Sequence, residues 1–152
     1  MWTNLALVAV LLAMWQTIGI ERFLMVQVPI FLLSAAGGVW MFYIQHQFED
    51  TYWEPHSSWD YFDAALQGCS FYDLPRVLHW FTGNIGFHHI HHLNSLIPNY
   101  NLEQAYKDVP AFQEATHLKL WGSLKCASLK LWDPKQGKLV GFGHLKSIPA
   151  ET

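Results

Sequence analysis

Two stretches without a single charge fill most of the first third of the chain. Residues 1–20 contain none, Glu21 and Arg22 follow, and residues 23–48 contain none again. A bilayer core of roughly 30 Å takes about 20 apolar residues in a helix, and both stretches reach that length. Inside hydrocarbon a backbone must satisfy its own hydrogen bonds, so each stretch is expected to be helical. Spans are expected at about residues 2–20 and 23–45. Glu21-Arg22 would mark a tight turn between two antiparallel rods. The small residues Ser34-Ala35-Ala36-Gly37-Gly38 suit close approach of a neighbouring helix.

Neither alternative reading of these stretches fits well. A signal peptide would carry a basic start and a cleavage site, whereas residues 1–20 have no basic residue and run into a second apolar stretch. Two core helices of a soluble protein would need more covering chain than the rest of the sequence provides. The expected fold class is therefore an all-α membrane protein. A transmembrane helical hairpin would occupy residues 1–48, and a mostly helical cytoplasmic cap residues 49–152, with a short β-hairpin near its C-terminal end.

Charge orients the expectation. Of nine Lys and Arg, only Arg22 lies at the turn and the other eight follow Phe48. The positive-inside rule then places the tail and Met1 in the cytoplasm, in a multi-pass membrane protein. A net charge of −3 gives no reason to bind nucleic acid. Cys69 and Cys126 are too few and too unpatterned for a disulfide framework and read as reduced thiols.

The tail offers several local signals. A short helix is expected near residues 59–67, with Ser58 as its cap. Asp73-Leu-Pro75 looks like another helix start, an Asp cap with proline in the first turn, and that helix would run from about Pro75 to His92. Asn101-Leu-Glu-Gln104 resembles a capping box. Residues 116–131 place Leu118, Trp121, Leu124 and Ser128 on one helical face, either lying on a membrane surface or packed on the domain. "LKLWDPKQGKLVGF" alternates apolar and polar residues about a turn, as a β-hairpin would. Helix and hairpin compete for residues 128–132.

The stretch "FHHIHHLN" carries the chemistry. His88, His91 and His92 stand at i, i+3 and i+4, so on a helix their imidazoles share a face and can converge, while His89 points roughly 100° away. Neutral imidazole is a good ligand for iron, zinc, copper or nickel. Without a metal, such a cluster repels itself when protonated and wastes hydrogen-bonding capacity when buried. A lone histidine is more often a satisfied polar residue, which suits His56, His117 and His144. His46 stands apart from these, because it lies where the second span would leave the bilayer, on the side of the tail. It is the fourth candidate ligand. Asn84 falls one helical turn before His88. It could hold a metal-bound water or orient an imidazole, or it could be a plain surface amide.

These residues resemble a known family. "QHQFEDTYWE" and "FTGNIGFHHIHHLNSLIPNY" look like the C-terminal half of the membrane fatty acid desaturases, in particular the bacterial acyl-lipid type related to the Δ12 (omega-6) enzymes. The likeness runs from the apolar hairpin to "LKLWDPKQGKLVGF". His88-x-x-His91-His92 matches the third histidine box, and His46 matches the extra histidine after the last span. The resemblance implies two irons held by histidines, with zinc able to substitute, and O2 as co-substrate. It implies membrane lipid acyl chains as substrate and a cis double bond as product. Electrons would come from a ferredoxin or cytochrome b5-type partner, since no dinucleotide fingerprint is present.

The departure from the pattern is equally definite. The family's first two boxes, H-x(3-4)-H and H-x(2-3)-H-H, are not in this sequence. The chain therefore reads as the back portion of a desaturase, expected to be inactive alone and to need an upstream half or a full-length paralogue. The boxes fit a hydroxylase, ketolase or epoxidase of the same superfamily equally well. A non-catalytic truncated membrane protein holding one metal or none is the third reading.

Overall fold

The computed structural model describes residues 1–147; residues 148–152 of the expected cap lie outside them. The chain divides into two compact units, Met1–Met41 and Phe42–Thr152.

The first unit holds helix α1 (Trp2–Thr17) and most of helix α2 (Ile20–His46). The break between them falls at Ile18-Gly19, earlier than the Glu21-Arg22 turn expected. Gly19 has φ +86°, and the amides of Ile18 and Gly19 both donate to the Met14 carbonyl. A left-handed glycine of this kind stops a helix. Glu21 lies in the first turn of α2, where a carboxylate suits the positive end of the helix dipole. α1 buries no residue, and α2 buries only Ile44 and Gln45. Leu33 is 76% exposed and Val39 68%. A Cβ added at Gly37 or Gly38 would meet nothing within 4 Å, so the small-residue patch has no helix against it among the described residues. α2 is long and apolar enough to cross a membrane, while α1 is a shorter apolar helix.

The second unit is mostly helical but not all-α, for it contains two small two-stranded sheets. Helix α3 (Tyr61–Gln67) starts at Asp60, whose side chain accepts from the amides of Phe62 and Asp63. The expected cap, Ser58, instead donates to Glu54. Strand β1 (Phe71–Asp73) follows.

The single helix expected from Pro75 to His92 is two helices, α4 (Arg76–Phe81) and α5 (His88–Leu93). Asp73 does not cap; Pro75 occupies the N-cap position. Gly83 and Asn84 both take left-handed φ, +60° and +57°, and break the run. The chain leaves the helix here because it must press against β1. The Tyr72 amide donates to the Gly86 carbonyl at 2.9 Å, and a Cβ on Gly86 would lie 2.6 Å from both the Tyr72 carbonyl oxygen and the His79 ring. Only glycine fits such an approach.

Helix α6 (Leu102–Asp108) has Asn101 in cap position, but no side chain completes the expected capping box. Glu103 pairs with Lys107 and Gln104 with Asp108 instead. Residues 116–131 are not an amphipathic helix. Strand β2 (His117–Lys119) pairs in parallel with β1, Tyr72 opposite Leu118, and the 3-10 turn Gly122–Ser128 follows. The open edge of β1 takes up backbone groups that helix periodicity alone would have kept internal, with the Phe71 amide donating to the Thr116 carbonyl at 2.8 Å. The β-hairpin is present: β3 (Leu131–Asp133) and β4 (Lys138–Val140) pair antiparallel around Gly137 at φ +64°.

The core lies between β1, α5 and α6. Phe71, Phe87, Ile90 and Leu102 are buried together, with Ala105, Tyr106 and Phe112 against them. Phe71 and Phe87 stack at 4.7 Å between centroids. One face of α5 is thereby fixed, which sets where its histidines point.

Candidate metal centre

Three segments meet at the end of α2. Gln45, almost fully buried, donates through Nε2 to the Ile85 carbonyl at 2.7 Å. The Ser70 amide donates to the Gln45 carbonyl at 2.9 Å. Tyr61 of α3 donates its hydroxyl to the carbonyl of His92 at the end of α5. The last turn of α2, the link before β1 and helix α5 are thus tied together by groups other than histidine.

Inside this frame the imidazoles converge. His46 Nε2 lies 3.1 Å from His92 Nε2, and His92 Nε2 lies 3.1 Å from His88 Nε2. The ring centroids of His46 and His88 are 4.8 Å apart. His46 Nδ1 stands 2.8 Å from the Phe42 carbonyl. A carbonyl has no proton to give, so His46 carries its proton on Nδ1 and presents a lone pair on Nε2. His92 Nε2 has at most one proton. It can donate to His46 or accept from His88, but not both.

Hydrogen bonding alone therefore does not satisfy the cluster, and His88 Nδ1 is buried without a partner. A cation beside His92 would take up the lone pairs of neighbouring Nε2 atoms that hydrogen bonding leaves unused. Two metal–nitrogen bonds of about 2.1 Å, at angles between square and tetrahedral, hold their nitrogens about 3.0–3.4 Å apart. The observed 3.1 Å spacings fall within that range. The hydrogen bond from His46 Nδ1 to a backbone carbonyl is the outer support that metal-bound histidines use. These residues fit a metal.

Electrostatics agree with a site built for neutral imidazoles. Burial first, and after it His92, His46, His91 and His89 in that order, hold His88 down at about 3. His92 is lowered too, by burial and then by His46 and His91.

The remaining sequence-predicted residues fall differently. His91 stacks on His88, 5.8 Å between centroids and nearly parallel at 21°, and is not one of the three converging rings. His89 points into the core, fully buried against Tyr106, Phe112 and Phe71. Burial foremost, with His117 adding to it, holds it down at about 4 against the Phe112 backbone, which does not reach hydrogen-bonding geometry. Asn84 does not share a helix with His88. It sits in the left-handed turn, and its side-chain amide donates to the Asn99 carbonyl at 2.9 Å. His117 approaches the Tyr106 hydroxyl at 3.1 Å and His144 the Asp133 carboxylate at 2.8 Å, both away from the cluster.

Sequence reasoning missed Cys69. Its sulfur and one nitrogen each of His46 and His92 all lie within 4.8 Å of one another, and the thiol is buried. A single cysteine in "LQGCSFY" has no partner at recognisable spacing, so only the fold brings it to the histidines. Burial pushes the free thiol up to about 12.

Comparison with known proteins gives a consistent picture. The family model described as "Fatty acid desaturase" matches residues 1–123. A fatty acid desaturase of Bacillus subtilis is 46% identical over 147 residues, which is 97% of this chain and 42% of that protein. The sn-1 oleoyl-lipid 12-desaturase of Synechocystis is 30% identical over 112 residues, 69% of this chain and 31% of that protein. The chain thus spans less than half the length of either relative. No solved structure matches it.

Proposed function

The chain belongs to the fatty acid desaturase family, and from that premise we propose that it supplies part of the metal centre of an O2-dependent acyl-lipid desaturase. The observation that carries this reading is the chain of three Nε2 atoms at 3.1 Å steps, His46 to His92 to His88. When bound, iron would activate O2, the oxidant that takes two hydrogens from an unactivated acyl chain and two electrons from the donor protein and leaves as water. The protein's residues supply the rest. His46 presents a lone pair because its other nitrogen is held by Phe42. His88 and His92 stay neutral at physiological pH because burial and their neighbours disfavour the cation. Gln45 and Tyr61 hold the three segments in register. His91 stands beside the cluster, within reach of a second ion held jointly with histidines from elsewhere in the assembled enzyme. Four imidazoles do not furnish two irons, so the reading requires such further histidines.

The membrane reading belongs to the same proposal. α2 carries 27 residues, about 40 Å of helix at 1.5 Å per residue. That exceeds a hydrocarbon core of roughly 30 Å and leaves its last turn, with His46, at the water boundary. Its apolar surface is open, as lipid would require. α1, with residues on either side, forms the second crossing. Residues 1–48 are the membrane portion and the rest a cap on the cytoplasmic face, where a ferredoxin or cytochrome b5-type donor can reach it. The acyl chains of membrane lipids are the substrate.

The test is a graft. This chain replaces the aligned segment of the Bacillus relative, and membrane acyl chains of a host lacking desaturation are analysed. New cis double bonds are expected, and none when the graft carries His92→Ala. Hydroxylated or keto products alone would move the chain to a sister chemistry of the same metal centre. Unchanged lipids with a well-expressed graft would reject the proposal.

A further inference from the structure

Cys69 reaches the histidine cluster by a route independent of the histidine run. It lies between α3 and β1, and its neighbour Ser70 is bonded to α2 by the amide-to-Gln45 carbonyl contact and by a hydroxyl reaching the Ile44 carbonyl at 3.4 Å. These bonds lay residues 69–70 against the turn that carries His46. Cys69 is 3% exposed, and its sulfur forms no hydrogen bond among the described residues. Beside it, His88 is 8% exposed, its Nε2 aimed at His92 and its Nδ1 without a partner. The fold therefore brings the Cys69 thiol within 4.8 Å of one nitrogen each of His46 and His92, and His88 stands against His92 with one nitrogen unpartnered.

We propose that Cys69 is a further ligand of this metal centre, its sulfur joining His46 and His92 on the ion they hold. The proposal rests on the reading of the histidines as metal ligands, but not on desaturation. The geometry is close to what such an ion needs. Metal–sulfur bonds of about 2.3 Å and metal–nitrogen bonds of about 2.0–2.1 Å hold tetrahedral ligand atoms about 3.4–3.6 Å apart. The ligand atoms here lie within 4.8 Å. A closing movement of about 1 Å, within reach of a side-chain rotation, completes the shell. A solvent molecule fills the fourth position, as in open metal sites with three protein ligands. On binding, the S–H bond breaks, a metal–sulfur bond forms and the proton leaves to solvent; no electrons change hands. A thiolate among imidazoles favours zinc or cobalt over the harder ions that carboxylate and water ligands select.

The experiment uses the full chain in detergent, reduced and metal-free, titrated with cobalt(II) alone. About one ion per chain is expected, with tetrahedral d–d bands in the visible and a strong thiolate-to-cobalt charge-transfer band in the near ultraviolet. Cys69→Ser should remove the charge-transfer band and weaken cobalt binding by about tenfold or more. Cys126→Ser should leave both unchanged. Since the chain has two cysteines, a band that persists in Cys126→Ser assigns itself to Cys69 even if Cys69→Ser fails to fold. Cobalt bound with d–d bands but no charge-transfer band would overturn the cysteine proposal and leave the histidine centre standing. A band surviving Cys69→Ser would do the same. Absence of cobalt binding would overturn both.

Discussion

His46 and His92 are 46 residues apart in the chain, and their Nε2 atoms are 3.1 Å apart in the fold. One stands in the last turn of a long apolar helix, the other on a six-residue helix held by an aromatic core. Gln45 ties the end of α2 to the loop that leads into α5, and Tyr61 of α3 holds the far end of α5.

His88 and His91 should behave differently as ligands of a first metal ion. His88 Nε2 is part of the converging set, while the His91 ring is stacked beside it. His88→Ala should weaken binding of one equivalent of zinc by more than about 100-fold, beyond the usual effect of an outer support. His91→Ala should weaken it by less than about tenfold. Isothermal titration of the two variants would distinguish them; equal losses would mean that the two rings serve the same ion.

Gln45 is a positioning residue. Its buried amide donates to the Ile85 carbonyl, and Gln45→Leu would leave that carbonyl without its partner. Loss of about 1–3 kcal/mol of stability is expected. Metal affinity should fall as well, because His46 is the next residue. Thermal unfolding with and without zinc measures both effects. A variant as stable as wild type, with unchanged affinity, would remove Gln45 from the account of how the site is held.

Gly86→Ala should be among the most damaging single-methyl changes. The added carbon would lie 2.6 Å from the Tyr72 carbonyl oxygen, where backbone cannot give way cheaply. A loss of about 1–3 kcal/mol is expected. Gly37→Ala, with nothing within 4 Å, should lose nothing measurable. Paired melts in the same detergent make the comparison.

Acid should destabilise the metal-free chain in a defined window. The folded state holds His88 down at about 3 and His89 at about 4, against 6.5 in the unfolded chain. Between those values the unfolded state binds more protons, so stability falls as pH drops through 6.5. The fall is about 1.4 kcal/mol per pH unit for each such proton and ends near pH 3. His89→Leu, which removes a buried imidazole with no partner for either nitrogen, should flatten the slope by one proton. Denaturant melts at pH 8, 6, 5 and 4 would show it. Stability independent of pH across that range would mean that these rings are already solvated.

Much of the site was legible in the sequence, and for a physical reason. Charge-free runs and i, i+3, i+4 histidine spacing are local patterns, and local patterns survive folding. They pointed to His46, His88, His91 and His92 as candidate ligands, of which the fold strings the Nε2 atoms of the first, second and fourth together and stacks His91 beside them; apolar–polar alternation pointed to the hairpin around Gly137. What was not legible depends on contacts distant in sequence. The helix expected through residue 92 breaks at Gly83 and Asn84 because Gly86 must pass close to Tyr72, fourteen residues away. That break removes Asn84 from the helix face of His88. Residues 117–119 read as helical until the open edge of β1 takes them. Cys69 has no pattern at all, and its place beside His46 follows from the hydrogen bonds that Ser70 makes to α2.

The most direct measurement is metal retention by the purified full chain. Loaded anaerobically with iron(II) and dialysed, the wild-type chain should keep about one ion, since three converging imidazoles make one site. The His46→Ala/His92→Ala double variant should keep none while retaining its helical circular dichroism. Equal retention by the two, or no iron in either, would contradict a metal centre shared between the end of α2 and α5.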